Sequence, residues 1–158
     1  MTETLACLNE DELDIFVEAA LEFFRISCKE SAEAGDASIA IVDLPSLDYT
    51  GLINVSGVEQ GFAYLTASRS AMRRLMMAIA GETGNDELYK DLIGEIVSII
   101  VSNTRRHFGA RLKVSVPKVY TRTVELEHGD TMGFILPLKF QGEELILVLA
   151  LYPSVSDS

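Results

Sequence analysis

The stretch Gly94 to Asn103, GEIVSIIVSN, carries a carboxylate, Glu95, and a hydroxyl, Ser98, three residues apart inside an otherwise apolar run. Residues three apart on a helix are neighbours on its surface. A carboxylate accepts hydrogen bonds, whereas a serine hydroxyl both donates and accepts them and so can hold a water. The same two residues can equally be the wet side of a helix that lies on a sheet, because most surface polar residues have no task.

Other chemistries find little support. His107 stands at a helix end and His128 in the turn EHGD, with no cysteine or second histidine near either, so no metal site is expected. Cys7 and Cys28 lack CxxC spacing and read as reduced thiols. GETGND, from Gly81, has neither a preceding strand nor the Lys-Ser/Thr of a phosphate loop, so nucleotide binding is not expected. With 13 Lys and Arg against 24 Asp and Glu, the net charge of -11 repels a phosphate backbone, so nucleic acid is not expected as a partner. The opening MTETLACLNEDELDIF has no basic segment followed by an apolar run, and no stretch reaches the roughly 18 apolar residues of a membrane span. A cytoplasmic location and no membrane partner are expected.

The elements that must position Glu95 and Ser98 follow from hydrophobic period. The chain's 158 residues, 48% hydrophobic, suit one domain over 1–152 with a frayed tail over 153–158. From Asp11 to Ala34, apolar residues recur at helical spacing, with Asn9 or Asp11 as cap and Gly35 as stop. Short β-rich runs follow at Ser38 to Asp43, Gly51 to Gly57 and Gly61 to Ala67, the last two forming a hairpin. A second helix, capped by Ser68 or Ser70, stops at Gly81, and a third runs from Asp86 to Phe108, before Gly109. Strand-like runs then cover Leu112 to Val116, Val119 to Leu126, Thr131 to Phe140 and Glu144 to Tyr152, with the turns EHGD and QGEE between the last of them. The order approaches a tandem αβββ repeat with an extra helix between the halves. Runs of adjacent strands predict an α+β fold of two layers, an antiparallel or mixed sheet covered by long helices.

At about 100° per residue, Asp91, Gly94, Glu95, Ser98, Ser102, Arg105 and Arg106 share an arc of about 120° on the third helix. Apolar residues fill the rest, and Asn103 falls among them, where an amide usually holds architecture through hydrogen bonds. The middle of the stripe is small: Gly94, Ser98 and Ser102. A freely solvated helix more often carries long side chains of better propensity, so the stripe reads as a wet side or as a surface that another backbone can approach closely.

DLIGEIVSIIVSN, preceded by GLINVSGVEQGFAYLTASRSAMRRLMMAIAGE and followed by LKVSVPKV, resembles the CheX-like branch of the CheC/CheX/FliY family of chemotaxis phosphatases, from about Gly51 onward. The resemblance implies a phosphatase for the phosphoaspartyl form of a CheY-like receiver domain, and a homodimer. The family's site is Glu-x-x-Asn on the long helix. Its Glu corresponds to Glu95, which would pair with the receiver's active-site lysine. Its Asn orients water for in-line attack, a task of positioning that needs no cofactor of the phosphatase's own; the receiver brings Mg²⁺. Here Ser98 occupies the position of that Asn. Asp91, Gly94, Ser102 and Arg105 are the implied partner-binding residues, and Asn103 matches a later, structural Asn. The first helix offers no second site: Glu18-x-x-Leu21 and Glu22-x-x-Arg25 lack the Asn. The alternative function is a catalytically degenerate module that docks a receiver, or a dimeric regulator.

Overall fold

The computed structural model describes residues 9–40, 45–57, 59–121 and 132–153. Helix α1, Glu10–Phe23, starts from a capping box in which the Glu12 N–H donates to Asn9 Oδ1 at 2.8 Å and the Asn9 N–H donates to Glu12 Oε1 at 3.0 Å. It buries Phe16, Ala19, Ala20 and Phe23. The helix does not continue to Ala34 as its apolar spacing predicts. Phe24–Cys28 form a π-helical turn that ends at Lys29 in the left-handed region, φ 56°. The turn keeps consecutive Phe23 and Phe24 both buried, with Phe24 stacked on Phe140 at 5.5 Å. Past it, Glu33–Ala34 is a short strand, β1.

The remaining elements are β2 (Ser38–Ala40), β3 (Tyr49–Gly57), β4 (Glu59–Ala67), α2 (Arg69–Ala80), α3 (Asp86–Asn103), α4 (Arg105–Phe108), β5 (Leu112–Val114), β6 (Lys118–Thr121), β7 (Gly133–Phe140) and β8 (Glu143–Pro153). All described pairings are antiparallel, in the order β1-β7-β8-β4-β3-β5, with β2 also on β7 and β6 also on β3. The α+β expectation therefore holds, with an antiparallel sheet. The β7–β8 hairpin turns on Gln141 and Gly142, both at positive φ (53° and 80°), the backbone that a two-residue hairpin loop requires. The end of the expected Ser38 to Asp43 strand, the tail of Val119 to Leu126 and the turn EHGD with His128 fall outside the described residues, as does Cys7.

Strand periodicity divides the sheet between two apolar surfaces. Tyr49, Ile53, Val55, Ala63, Leu65, Leu136, Leu145 and Leu147 join α1, α2 and α3 in the main core. Leu52, Phe62, Tyr64, Ile146, Val148 and Ala150 point the other way and are also buried. Across that second face runs the segment before β3, where the Leu47 N–H donates to Thr66 Oγ1 at 2.7 Å and the Tyr64 hydroxyl donates to the Pro45 carbonyl at 2.5 Å.

Glu59, at the start of β4, is only 2% exposed, and its Oε1 has no hydrogen-bond partner among the described residues. Burial and then the nearby Glu12 carboxylate push it up to about 7. An acid whose folded pKa is raised binds its proton more tightly folded than unfolded, so stability falls as pH climbs from the ordinary glutamate range through about 7. Glu59→Gln is expected to raise the melting temperature at pH 8, reflecting on the order of 1–3 kcal/mol of relieved desolvation, and to change little at pH 5. Thermal melts of both proteins at the two pH values check this; an equal shift at both would remove the titration of Glu59 as the cause.

Candidate functional site

Three contacts set the place and rotation of α3. At its start the Asn85 side chain caps the helix by accepting from the Leu88 N–H at 3.0 Å. In the first turn, Asp86 accepts from the Tyr49 hydroxyl of β3 and, at 2.7 Å, from the Arg69 guanidinium of α2. Arg69 also donates to the Tyr49 hydroxyl at 2.6 Å and lies 5.4 Å from the Tyr89 ring centre. Burial and the bond to Asp86 push the Tyr49 hydroxyl up to about 12, which keeps it a proton donor in this cluster. In the middle of α3 the anchor is steric. A Cβ on Gly51 of β3 would stand 2.7 Å from the Ile93 carbonyl oxygen and 3.1 Å from Gly94 Cα, so helix and strand meet backbone to backbone.

With the helix so fixed, Asp91 and Glu95 are exposed and Ser98 and Ser102 half-buried. The Glu95 carboxylate has no ion-pair or hydrogen-bond partner among the described residues, nor has the Ser98 hydroxyl. Gly94 departs from the open stripe of the sequence analysis: it is buried, and a Cβ there would stand 3.3 Å from Val119 Cγ2 and 3.4 Å from Pro117 Cγ. The segment 117–119 therefore walls one side of a depression whose other walls are Glu87, Lys90, Asp91 and Glu95.

The C-terminal half of the stripe belongs to a different place. Ser102, Asn103, Arg105 and Arg106 line a groove against Glu22, Phe23, Ile26 and Ser27 of the first helix and its π turn. The single helix expected from Asp86 to Phe108 breaks here, and Thr104 is the cause. Fully buried, its hydroxyl donates to the Val101 carbonyl at 2.6 Å and its N–H to the same oxygen at 3.1 Å, tightening the turn and starting α4 on a new line. Arg105 consequently donates through Nε to the Leu112 carbonyl at 3.2 Å, and Arg106 pairs with Glu22 at 2.5 Å. Both arginines tie the end of the long helix to its surroundings. Asn103 is half-buried in the groove, and its amide has no hydrogen-bond partner among the described residues.

The structure thus brings Asp91, Gly94 and Glu95 together, leaves Ser98 one turn further along the same helix, and separates Ser102 and Arg105 into the second groove. Sequence reasoning missed Glu87, Lys90, Pro117 and Val119, the other walls around Glu95. PKV, residues 117–119, was visible as a fragment of the resemblance, but nothing in one sequence told that it packs on Gly94.

Among the described residues no group of three or more His, Cys, Asp or Glu is placed to share a metal ion, and no helix is long and apolar enough to cross a membrane. Cys28 is buried, and burial, then Glu30, pushes its thiol up to about 11, so it is no nucleophile at neutral pH.

The family model described as chemotaxis phosphatase CheX matches residues 49–138, more than half of the chain and all of α3. The chain belongs to the CheX family. Solved structures agree on the CheX fold. A CheC-like superfamily protein from Shewanella sp. PV-4 superposes with a TM-score of 0.80 at 18% identity, covering 91% of this chain and 99% of that one. The chemotaxis protein CheX from Vibrio vulnificus gives 0.77 at 18% identity, over 89% of this chain and 99% of that one. The Borrelia burgdorferi CheX–CheY–BeF3–Mg²⁺ complex gives 0.72 at 16% identity, over 91% and 99%. No curated protein matches the sequence. On α3 the residue three positions after Glu95 is Ser98, so the helix carries Glu-x-x-Ser.

Proposed function

We propose that this chain hydrolyses the phosphoaspartate of a CheY-like receiver, with Glu95 as anchor and Ser98 as the group that holds the attacking water. The observation that supports it is Glu95 itself: an exposed carboxylate with no partner among the described residues, at the position to which the resemblance assigns the anchor. Glu95 would take the receiver's active-site lysine and so orient the acyl phosphate beside α3. The Ser98 hydroxyl would accept from or donate to a water in line with the P–O bond. The water oxygen attacks phosphorus, the bond to the aspartyl oxygen breaks, the carboxylate leaves as such and inorganic phosphate carries the water's protons. Mg²⁺ belongs to the receiver in this scheme, and the chain supplies only position and hydrogen bonds.

Serine's shorter reach favours a second reading, in which the chain docks the phosphorylated receiver and turns it over slowly or not at all. Asp91, Gly94, Ser102 and Arg105 were assigned to docking on the stripe; with Arg105 bonded to Leu112, Ser102 in the groove and Gly94 buried under Pro117 and Val119, the exposed Asp91 is the best supported of the four. A homodimer is part of the proposal, carried by the family resemblance, and light scattering on the purified protein tests it.

The deciding experiment follows phosphate release from a phosphorylated receiver with and without the protein. Acceleration that returns to the spontaneous rate in Glu95→Ala supports hydrolysis. Binding without acceleration leaves the docking reading, and no binding to any receiver of the source organism sinks both.

A further inference from the structure

The outer edge of the sheet carries one residue too many beside Glu95. Val55 pairs with Val114 and Leu52 with Lys118, so three residues, 115–117, stand opposite two, Ile53 and Asn54. Such an extra residue kinks a strand and re-aims a side chain, and bulges of this kind gather at sheet edges and next to active sites. Ser115 pins this one at both ends of a single residue: its N–H donates to the Asn54 carbonyl at 2.9 Å, and its hydroxyl accepts from the Asn54 N–H at 3.0 Å. At the tip, Val116 is 82% exposed, more than any other large hydrophobic side chain among the described residues. An edge that needs only to be guarded against pairing is guarded by proline or charge. Pro117 already serves that end, and an exposed valine adds nothing to it.

From the tip the chain leads back to Glu95. Pro117 and Val119 pack on Gly94 and wall the depression that contains Glu95 and Asp91. Val116, Pro117 and Val119, with the exposed Lys118 between the last two, form an apolar ridge along this segment, next to a short acidic row of the exposed Asp91 and Glu95, while Glu87 is paired with Lys90 at 2.7 Å. We propose that this ridge is the apolar half of the receiver-docking surface, with Val116 entering an apolar depression next to the lysine that Glu95 engages; the proposal rests on the receiver reading above. Continuity with Glu95 and the acidic row select a partner with a basic rim around an apolar centre. The pinned turn presents the valine with little freedom left to lose, the arrangement expected of a residue that carries binding energy. A second copy of this chain is the other occupant to consider, but a self-complementary contact here would bring two acidic rows together.

The test measures affinity for purified receivers of the source organism, activated with beryllofluoride and Mg²⁺. Val116→Asp is expected to weaken binding about tenfold or more, and Val116→Ser, which adds no charge, in the same direction but less. Met77→Glu, an equal charge change at an exposed apolar site on α2, is expected to bind as the original protein does. Unchanged affinity in Val116→Asp, beside a loss in Glu95→Ala, overturns the ridge and leaves the receiver reading intact. Failure of the unmodified protein to bind any receiver overturns both. A change in mass of Val116→Asp measured alone assigns the ridge to a contact between copies and overturns the proposal.

Discussion

Ser98→Asn is expected to raise the rate of receiver dephosphorylation by on the order of a hundredfold. The scaffold around position 98 supports this. α3 is fixed at its start by the Asp86, Arg69 and Tyr49 cluster and in its middle by the backbone contact between Gly51 and Gly94, so an amide at 98 would stand on a helix whose rotation and height are already set. The serine falls short of an asparagine by about one bond, roughly 1.5 Å, and misplacement of about 1 Å costs on the order of a hundredfold in rate. Position 98 is half-buried, with no hydrogen-bond partner among the described residues to lose on substitution. Single-turnover phosphate release checks the rate, and affinity for the activated receiver is expected to stay within about twofold, since the change adds reach toward the water rather than a docking contact. A rate that stays flat while affinity is kept would show that the water's place is lost from more than this one residue. Asn103 cannot stand in: eight residues from Glu95, it lies about 12 Å along the helix, too far to serve the same phosphoryl group.

Gly51→Ala is expected to destabilise the protein by about 3 kcal/mol or more, an effect out of proportion to one methyl group. The added Cβ would meet the Ile93 carbonyl oxygen at 2.7 Å, its carbon at 3.0 Å and Gly94 Cα at 3.1 Å. All three are backbone atoms, so no rotamer change relieves the clash; α3 must lift off β3 or shift along it. Ile93, Ile96, Val97 and Ile100 are fully buried on that interface, and lifting the helix opens space beneath each of them. Denaturant unfolding monitored by circular dichroism gives the loss directly. Loss of receiver binding is expected at temperatures where the variant is still folded, because the displacement that relieves the clash also moves Glu95. A stability change under 1 kcal/mol would mean that the helix has slack to yield.

The candidate site shows where a single sequence stops being legible. Period alone gave α3 its apolar faces and grouped Asp91, Glu95 and Ser98, because those residues lie within one helix and their relation is fixed by 100° steps. The same arithmetic placed Ser102 correctly, though against the first helix, but failed for Arg105 and Arg106, which lie beyond the end of α3. Thr104 was the local cause of the break, yet its buried place against the Val101 carbonyl depends on the packing around it. The first helix failed for a similar reason: apolar spacing continued to Ala34, but Lys29 turned left-handed and Ala34 found a strand partner in Leu138, more than a hundred residues away. Local propensity has no access to such a partner.

By itself the sequence determined the alternation of helices and strands, the net negative charge, and the Glu95 and Ser98 pair one turn apart, since each depends on composition or on neighbours within a few residues. Only the tertiary structure decided that Gly51 and Gly94 are the meeting point of strand and helix. It alone divided the stripe between two grooves and brought the bulged segment 115–117 to the rim of Glu95. Those are relations between segments tens of residues apart, set by which backbones can approach closely and which edges pair, and no periodicity along the chain encodes them.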